Sequence, residues 1–215
     1  SRNLKDIVEE VKRLRDAGYK EVVFTGIQLG AYGLDFPQEG RKSLVDVLEA
    51  SAKVEGMERL RLSSIEPSDV TADLIGALAS ISQCCRHLHI PLQSGDDQIL
   101  KRMNRRYQSA FYLELVARLK SRMPDFSLTL DVMAGFPGET EEHFQNTIRV
   151  LKVVQPLKCH VFPYSRREGT RAARFEDVPA EVIRQRVRRL IDLGEQMGRE
   201  VRLPYLGKEI QVLVE

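Results

Sequence analysis

Stretches with helical apolar spacing and stretches that read as strands alternate along most of this chain, and that alternation limits the fold more than any other feature. Ile7, Val8, Val11 and Leu14 recur at helical spacing before Gly18 stops the helix, and residues 21–25 then read as a strand ended by Gly26. The pattern predicts further helices near 43–54, 72–81, 111–123 and 141–153, with strands over 59–63, 87–92, 127–133 and 158–163. Strands separated by helices must pair in parallel through crossover connections, so the fold class is α/β, either an open sheet or a barrel. Polar or glycine residues stand just past every strand: Thr25-Gly26, Ser63-Ser64-Glu66, Gln93-Ser94-Gly95, Gly135 and Tyr164-Ser165. Functional groups gathered on that one rim fit a TIM-like barrel or part of one.

At 215 residues with 42% hydrophobic side chains, the chain is long enough for a substantial core. A net charge of +2 announces no general field for nucleic acid or membrane. No apolar run reaches the roughly 18 residues that span a bilayer, and the start has no signal-peptide character, so a cytoplasmic protein with no membrane partner is expected. Three cysteines, two of them adjacent at Cys84-Cys85, argue for structural thiols rather than a disulfide framework or a metal clamp.

Beyond Pro179 a long helix carries Arg184, Arg186, Arg188, Arg189 and Arg199 and ends near Pro204. Ile210, Val212 and Val214 then alternate as a strand. The expected division is a core over 1–178, a connecting helix over 179–203 and the start of a β-domain over 204–215.

Several strand-end segments could carry chemistry. Tyr164 and Ser165, at the end of a strand in which Phe162 reads as core, could stack on and hydrogen-bond a nucleotide-like ligand. Gly135 would let a ligand approach the backbone, while Glu139 or Thr140 caps the next helix. Gln93 can donate and accept, and His87 and His89 share one strand face with no third metal ligand near them in sequence. Asp96 and Asp97 read as helix N-terminal acids. Lys101, Arg102, Arg105 and Arg106 form a basic cluster that is solvated by default but suits a carboxylate or phosphate. Nucleotide-binding P-loops, nucleophile elbows and zinc-protease motifs are all lacking. Such a rim suits chemistry supplied by a cofactor that the protein positions.

Six segments, in this order and spacing, resemble the radical S-adenosylmethionine methylthiotransferases: 26–33 (GIQLGAYG), 61–67 (RLSSIEP), 87–95 (HLHIPLQSG), 103–107 (MNRRY), 135–140 (GFPGET) and 162–165 (FPYS). The resemblance covers essentially the whole chain. Segments 25–30 and 162–170 favour the branch acting on N6-threonylcarbamoyladenosine beside the tRNA anticodon, over relatives acting on isopentenyladenosine or a ribosomal protein. It implies a partial (β/α) barrel, a C-terminal RNA-gripping β-domain, S-adenosylmethionine, two 4Fe-4S clusters in the full-length enzyme, an electron donor, and tRNA as partner. By match to the motifs, cofactor contacts fall on Thr25, Gly26, Ser63, Glu66, Gln93, Arg105, Gly135 and Tyr164, with Arg105 on the methionine carboxylate and Gly135 by the adenine. No side chain is assigned as catalytic or as a metal ligand. The family's cluster-binding cysteine loop and first barrel strand are expected upstream of Ser1, leaving an unpaired edge beside 21–25 and a fragment inactive by itself. Two rivals remain: a phosphate-binding barrel of aldolase or isomerase type, for which Glu66 is the fair candidate, and a non-catalytic RNA-binding module using the arginine-rich helix.

Overall fold

A computed structural model describes residues 1–213, which fold as two compact units. One holds Ser1–His89, Leu119–Phe126 and the segment from Ile210; the other holds Ile90–Arg118 and Ser127–Glu209.

In the first unit, helices and strands trade places as the periodicity requires. Helix α1 (Leu4–Asp16) starts where the Asn3 side chain accepts the Asp6 N–H at 2.9 Å. Strand β1 (Glu21–Phe24) follows, then α2 (Leu44–Ala52), whose Ser43 and Asp46 form a reciprocal capping box. Strand β2 (Arg59–Leu62) pairs with β1 in parallel, placing Glu21 opposite Arg59 and Phe24 opposite Leu62. After α3 (Ala72–Ser80), capped by Thr71, comes the short β3 (His87–His89). Parallel bridges Leu60–Cys84 and Ser64–His89 carry the pairing from β2 to this third segment. Val22, Leu60, Leu62 and Leu88 are buried, as are Val11, Val47, Leu48, Leu74 and Leu78 on the helices. Each such side chain contributes about 1.5–3 kcal/mol of burial. Alternate residues Glu21, Arg59, Arg61 and His87 therefore share the opposite, polar face of the sheet.

The second unit repeats the plan. Ile90 and Leu92 donate to Thr129 and Asp131 of β4 (Ser127–Ala134), at 2.9 and 3.1 Å, so pairing continues past the end of β3. Strand β5 (Lys158–Pro163) runs parallel to β4 from Thr129 opposite Lys158 to Ala134 opposite Pro163. Helix α4 (Asp97–Arg102) lies between the first of these segments and β4, and α6 (Glu141–Val154) between β4 and β5. Helix α5 (Ser109–Arg122) crosses the sequence boundary between the units. The 23-residue α7 (Ala180–Arg202) packs on β5, where Gly194 and Gly198, one turn apart, allow close approach. The buried Tyr107 and Tyr112 hydroxyls donate to the carbonyls of Pro91, Leu92 and Ile90, fixing the segment that leads to Gln93.

One expectation fails. Phe162 is not core: 50% of it is exposed, because the outer half of β5 lies at the protein surface. No strand forms over Lys208–Leu213, which are exposed; an isolated strand has no partner for its backbone groups, and Val214 lies outside the described residues. Among the described residues β1 is paired on one side only, and no helix is long and apolar enough to cross a membrane.

Candidate functional site

The polar strand ends occupy equivalent places in each unit, just past the carboxyl ends of parallel strands. In the first unit Thr25 and Gly26 are exposed beyond β1, and the half-buried Ser63 donates its N–H to Phe24 at 3.0 Å, so the β1 and β2 ends are neighbours. Glu66 is half-buried and opens the short 3-10 turn Pro67–Asp69 without capping it. Thr25 and Gly26 line a cavity of about 450 Å³ with Val11, Leu14, Val23 and Tyr32. Beside it, a side chain at Gly30 would collide with Asp69, whose Oδ2 is buried without a partner among the described residues.

In the second unit Gln93 adopts a left-handed backbone at φ 61° while both its backbone groups stay in the ladder, with Asp131 and Met133. A non-glycine residue held there is strained, and such strain gathers at functional positions. Ser94 is not offered to the rim: it is fully buried, its hydroxyl 3.4 Å from that of Thr147 and accepting the Asp96 N–H. Asp96 caps α4 by accepting from Gln98 and Ile99. Past α4, Asn104 turns left-handed at φ 59° and sets the half-buried Arg105, whose N–H bonds Leu100.

Gly135 and Tyr164 end the paired strands β4 and β5, and the Tyr164 N–H donates to Ala134 at 2.9 Å. The Tyr164 hydroxyl is buried and has no hydrogen-bond partner among the described residues, a costly condition that a bound polar group would relieve. Its ring meets Phe136 edge to face at 5.4 Å. Gly135 is small for a different reason from the one its sequence suggested. At φ 78° it faces Ile183 of α7, which fills the space a side chain would need, and its N–H is taken by Glu139 at 2.8 Å.

Glu139 turns inward and Thr140 caps α6, which decides between the two capping candidates. The Glu139 carboxylate, 1% exposed, pairs with Arg186 of α7, 5% exposed, at 2.8 Å; Arg186 also donates to the Glu139 carbonyl. Burial raises the Glu139 carboxyl above its usual range, opposed by the Gly135 N–H and the Arg186 charge. No sequence pattern links these two residues, which lie in distant segments.

The first unit's polar face carries a second charged group. Glu21 accepts from Arg59 Nε and Arg61 Nε, each at 2.8 Å, and Arg61 Nη1 lies 3.2 Å from His87 Nδ1. Hydrogen bonds from Arg61, then Arg59, hold the Glu21 carboxyl at about 2, and burial, with the Arg61 charge, lowers His87 to about 4. His87 therefore serves this network rather than a metal. Burial pushes the Cys84 and Cys159 thiols up to about 12, so neither supplies a thiolate. Among the described residues no cluster of three His, Cys, Asp or Glu could hold a metal, so these residues do not fit an iron–sulfur cluster. The long arginine-rich helix is largely neutralised within the chain: Arg184 pairs with Glu181, Arg186 with Glu139, Arg189 with Glu141 and Arg199 with Glu195.

Comparison with known proteins completes the picture. The family model described as "Radical SAM superfamily" matches residues 1–151. The chain is 42% identical, over its whole length and 48% of the relative's, to the threonylcarbamoyladenosine tRNA methylthiotransferase MtaB of Bacillus subtilis. It is 41% identical, over its whole length and 45% of the relative's, to a tRNA-2-methylthio-N(6)-dimethylallyladenosine synthase of Acetivibrio thermocellus. The chain thus spans a little under half the length of these relatives. Its fold matches coproporphyrinogen III oxidase of Escherichia coli, described as a radical SAM enzyme, with TM-score 0.65 at 15% identity over 91% of this chain and 45% of that one. The α/β fold with parallel strands is the partial (β/α) barrel expected from the alternation and the resemblance. The family match over residues 1–151, the shared fold and the whole-length similarity to tRNA methylthiotransferases place the chain in the radical SAM superfamily, among its methylthiotransferase-like members.

Proposed function

We propose that this chain is the cofactor-seating core of a tRNA methylthiotransferase that acts at C2 of N6-threonylcarbamoyladenosine beside the anticodon. The observation that carries this reading is the buried, unpartnered Tyr164 hydroxyl at the end of β5, in the same unit as the strained Gln93. A hydroxyl and an amide held at strand ends suit the polar edges of an adenosyl group. In this reading Gln93, Arg105 and Tyr164 of the second unit contact S-adenosylmethionine, while Thr25, Gly26, Ser63, Glu66 and Gly135 are assigned to the cofactor by match to the family's motifs alone. Arg105 takes the methionine carboxylate. Their task is positioning, since a misplacement of roughly 1 Å can cost about a hundredfold in rate. A 4Fe-4S cluster supplies the radical chemistry, on ligands other than the described residues of this chain. The segment over 179–203 serves as connector, and residues from 204 open an RNA-gripping β-domain.

Relatives on both adenosine branches match at nearly equal identity, 42% and 41%, so the choice between them rests on segments 25–30 and 162–170. The test is nucleoside mass spectrometry of tRNA treated with the whole protein, S-adenosylmethionine, a sulfur source and a reductant. The expected product is 2-methylthio-N6-threonylcarbamoyladenosine. Methylthiolation of isopentenyladenosine instead would overturn the branch, and no methylthiolated nucleoside would overturn the function.

A further inference from the structure

The second unit contains a cavity of about 720 Å³ whose chemistry the cofactor-seating residues do not use. Lys101 and Arg102 reach it from the last turn of α4, and Arg171 from a loop beyond β5. Phe136 and Phe175 supply apolar wall, and Asn104 an amide. The two α4 cations also oppose that helix's dipole, which accounts for their place in the sequence. It does not account for Arg171, which comes from a different part of the chain.

Three features point to an anionic ligand. First, the cations are not neutralised within the cavity: Lys101, Arg102 and Arg171 have no acidic partner among the described residues, and no acidic side chain lines the cavity with them. Second, Arg102 is held in place. Its guanidinium lies against Gly138, where a side chain would collide with it, and Nη1 is 3.5 Å from the Pro137 carbonyl. A guanidinium already positioned loses less freedom on binding. Third, Phe136 belongs both to this cavity and to the ring pair with Tyr164, so the basic cavity adjoins the Tyr164 strand end.

We propose that this cavity is a subsite for single-stranded RNA, with a backbone phosphate between Lys101, Arg102 and Arg171 and an adjacent ribose or base against Phe175. Phosphate contacts fix the register of a strand, and aromatic faces accept any base. The inference deepens the functional reading above and rests on it, since it places the strand next to the base that the enzyme would modify.

The test is fluorescence anisotropy of a labelled single-stranded RNA oligonucleotide titrated with this chain over a salt series. The double variant Lys101→Gln/Arg171→Gln should bind about tenfold more weakly at about 50 mM salt, and its slope of log affinity against log salt should be shallower by about one. Arg188→Gln on α7, also exposed, should leave both unchanged. Unchanged affinity and slope in the double variant, an equal loss in Arg188→Gln, or no binding by the parent chain would each overturn the subsite. All three positions are exposed, and circular dichroism of the variants verifies folding. The two readings fail separately: lost binding in the double variant with no methylthiolation by the whole protein sinks the function and leaves the subsite standing. Methylthiolation with an unaffected double variant does the reverse.

Discussion

At the scale of single residues, Glu21, His87 and Tyr164 show how hydrogen-bond partners and burial together set behaviour. Glu21 titrates near 2 in the folded chain, against 4.5 ordinarily, so the unfolded state binds its proton first as pH falls. Its stabilisation is complete above about 4.5 and is lost as pH falls through about 2. His87, at about 4 instead of 6.5, acts in the same direction over a higher window: the neutral ring stabilises above 6.5, and that contribution is lost as pH falls towards 4. Thermal unfolding followed by circular dichroism should therefore show the melting temperature falling from pH 6.5 downward. His87→Asn should flatten the part between 6.5 and 4. Glu21→Gln should cost roughly 2 kcal/mol at pH 7, because two arginines lose their carboxylate at a position only 8% exposed. Tyr164→Phe should leave stability unchanged or slightly raised, since the hydroxyl it removes has no partner, while weakening S-adenosylmethionine binding by the whole protein, measured by calorimetry. A stability loss with unchanged cofactor affinity would assign Tyr164 to packing alone.

At the scale of elements, the β4–α6 loop is held by α7 through one buried ion pair and one packed side chain. Arg186→Met should cost about 3–5 kcal/mol in urea unfolding, because it leaves the Glu139 carboxylate buried without its cation. Adding Glu139→Leu should recover most of that loss, and the double-mutant cycle gives the coupling. Gly135→Ala should cost about 2 kcal/mol or more, both from its positive φ and from collision with Ile183. The bounds of α2, α3, α6 and α7 were legible in sequence to within a few residues, because apolar spacing and the breakers Pro179 and Pro204 mark their extent; in the structure Ser43, Thr71 and Thr140 cap the first three. Phe162 was misread because strand periodicity tells which residues share a face but not which face is covered. Gly135 was read as leaving room for a ligand because the sequence gives no sign that Ile183 arrives from α7.

At the scale of the whole molecule, anaerobic reconstitution of this chain with iron and sulfide should yield no iron–sulfur absorbance. Cys84 and Cys159 are protonated at any ordinary pH, and no grouping of three metal ligands exists among the described residues. A stoichiometric cluster bound by these residues would refute the assignment of the three cysteines as structural. The candidate site was only partly legible. The strand ends could be named because strand–helix order fixes where carboxyl ends fall, and Thr25, Ser63, Gln93, Gly135 and Tyr164 all stand there. The cavity shared by Lys101, Arg102 and Arg171 could not be foreseen, since only the folded chain brings α4 and the loop beyond β5 to one place.

The order of apolar periods and caps by itself determined an α/β chain of parallel strands with its polar groups at one end of each strand, because local spacing dictates which segments are helix and which are strand. Only the tertiary structure decided which polar groups are satisfied. Glu139 found Arg186, Glu21 found two arginines, and the Tyr164 hydroxyl found no partner among the described residues. Hydrogen bonding and desolvation depend on neighbours distant in the chain, and no local pattern records them.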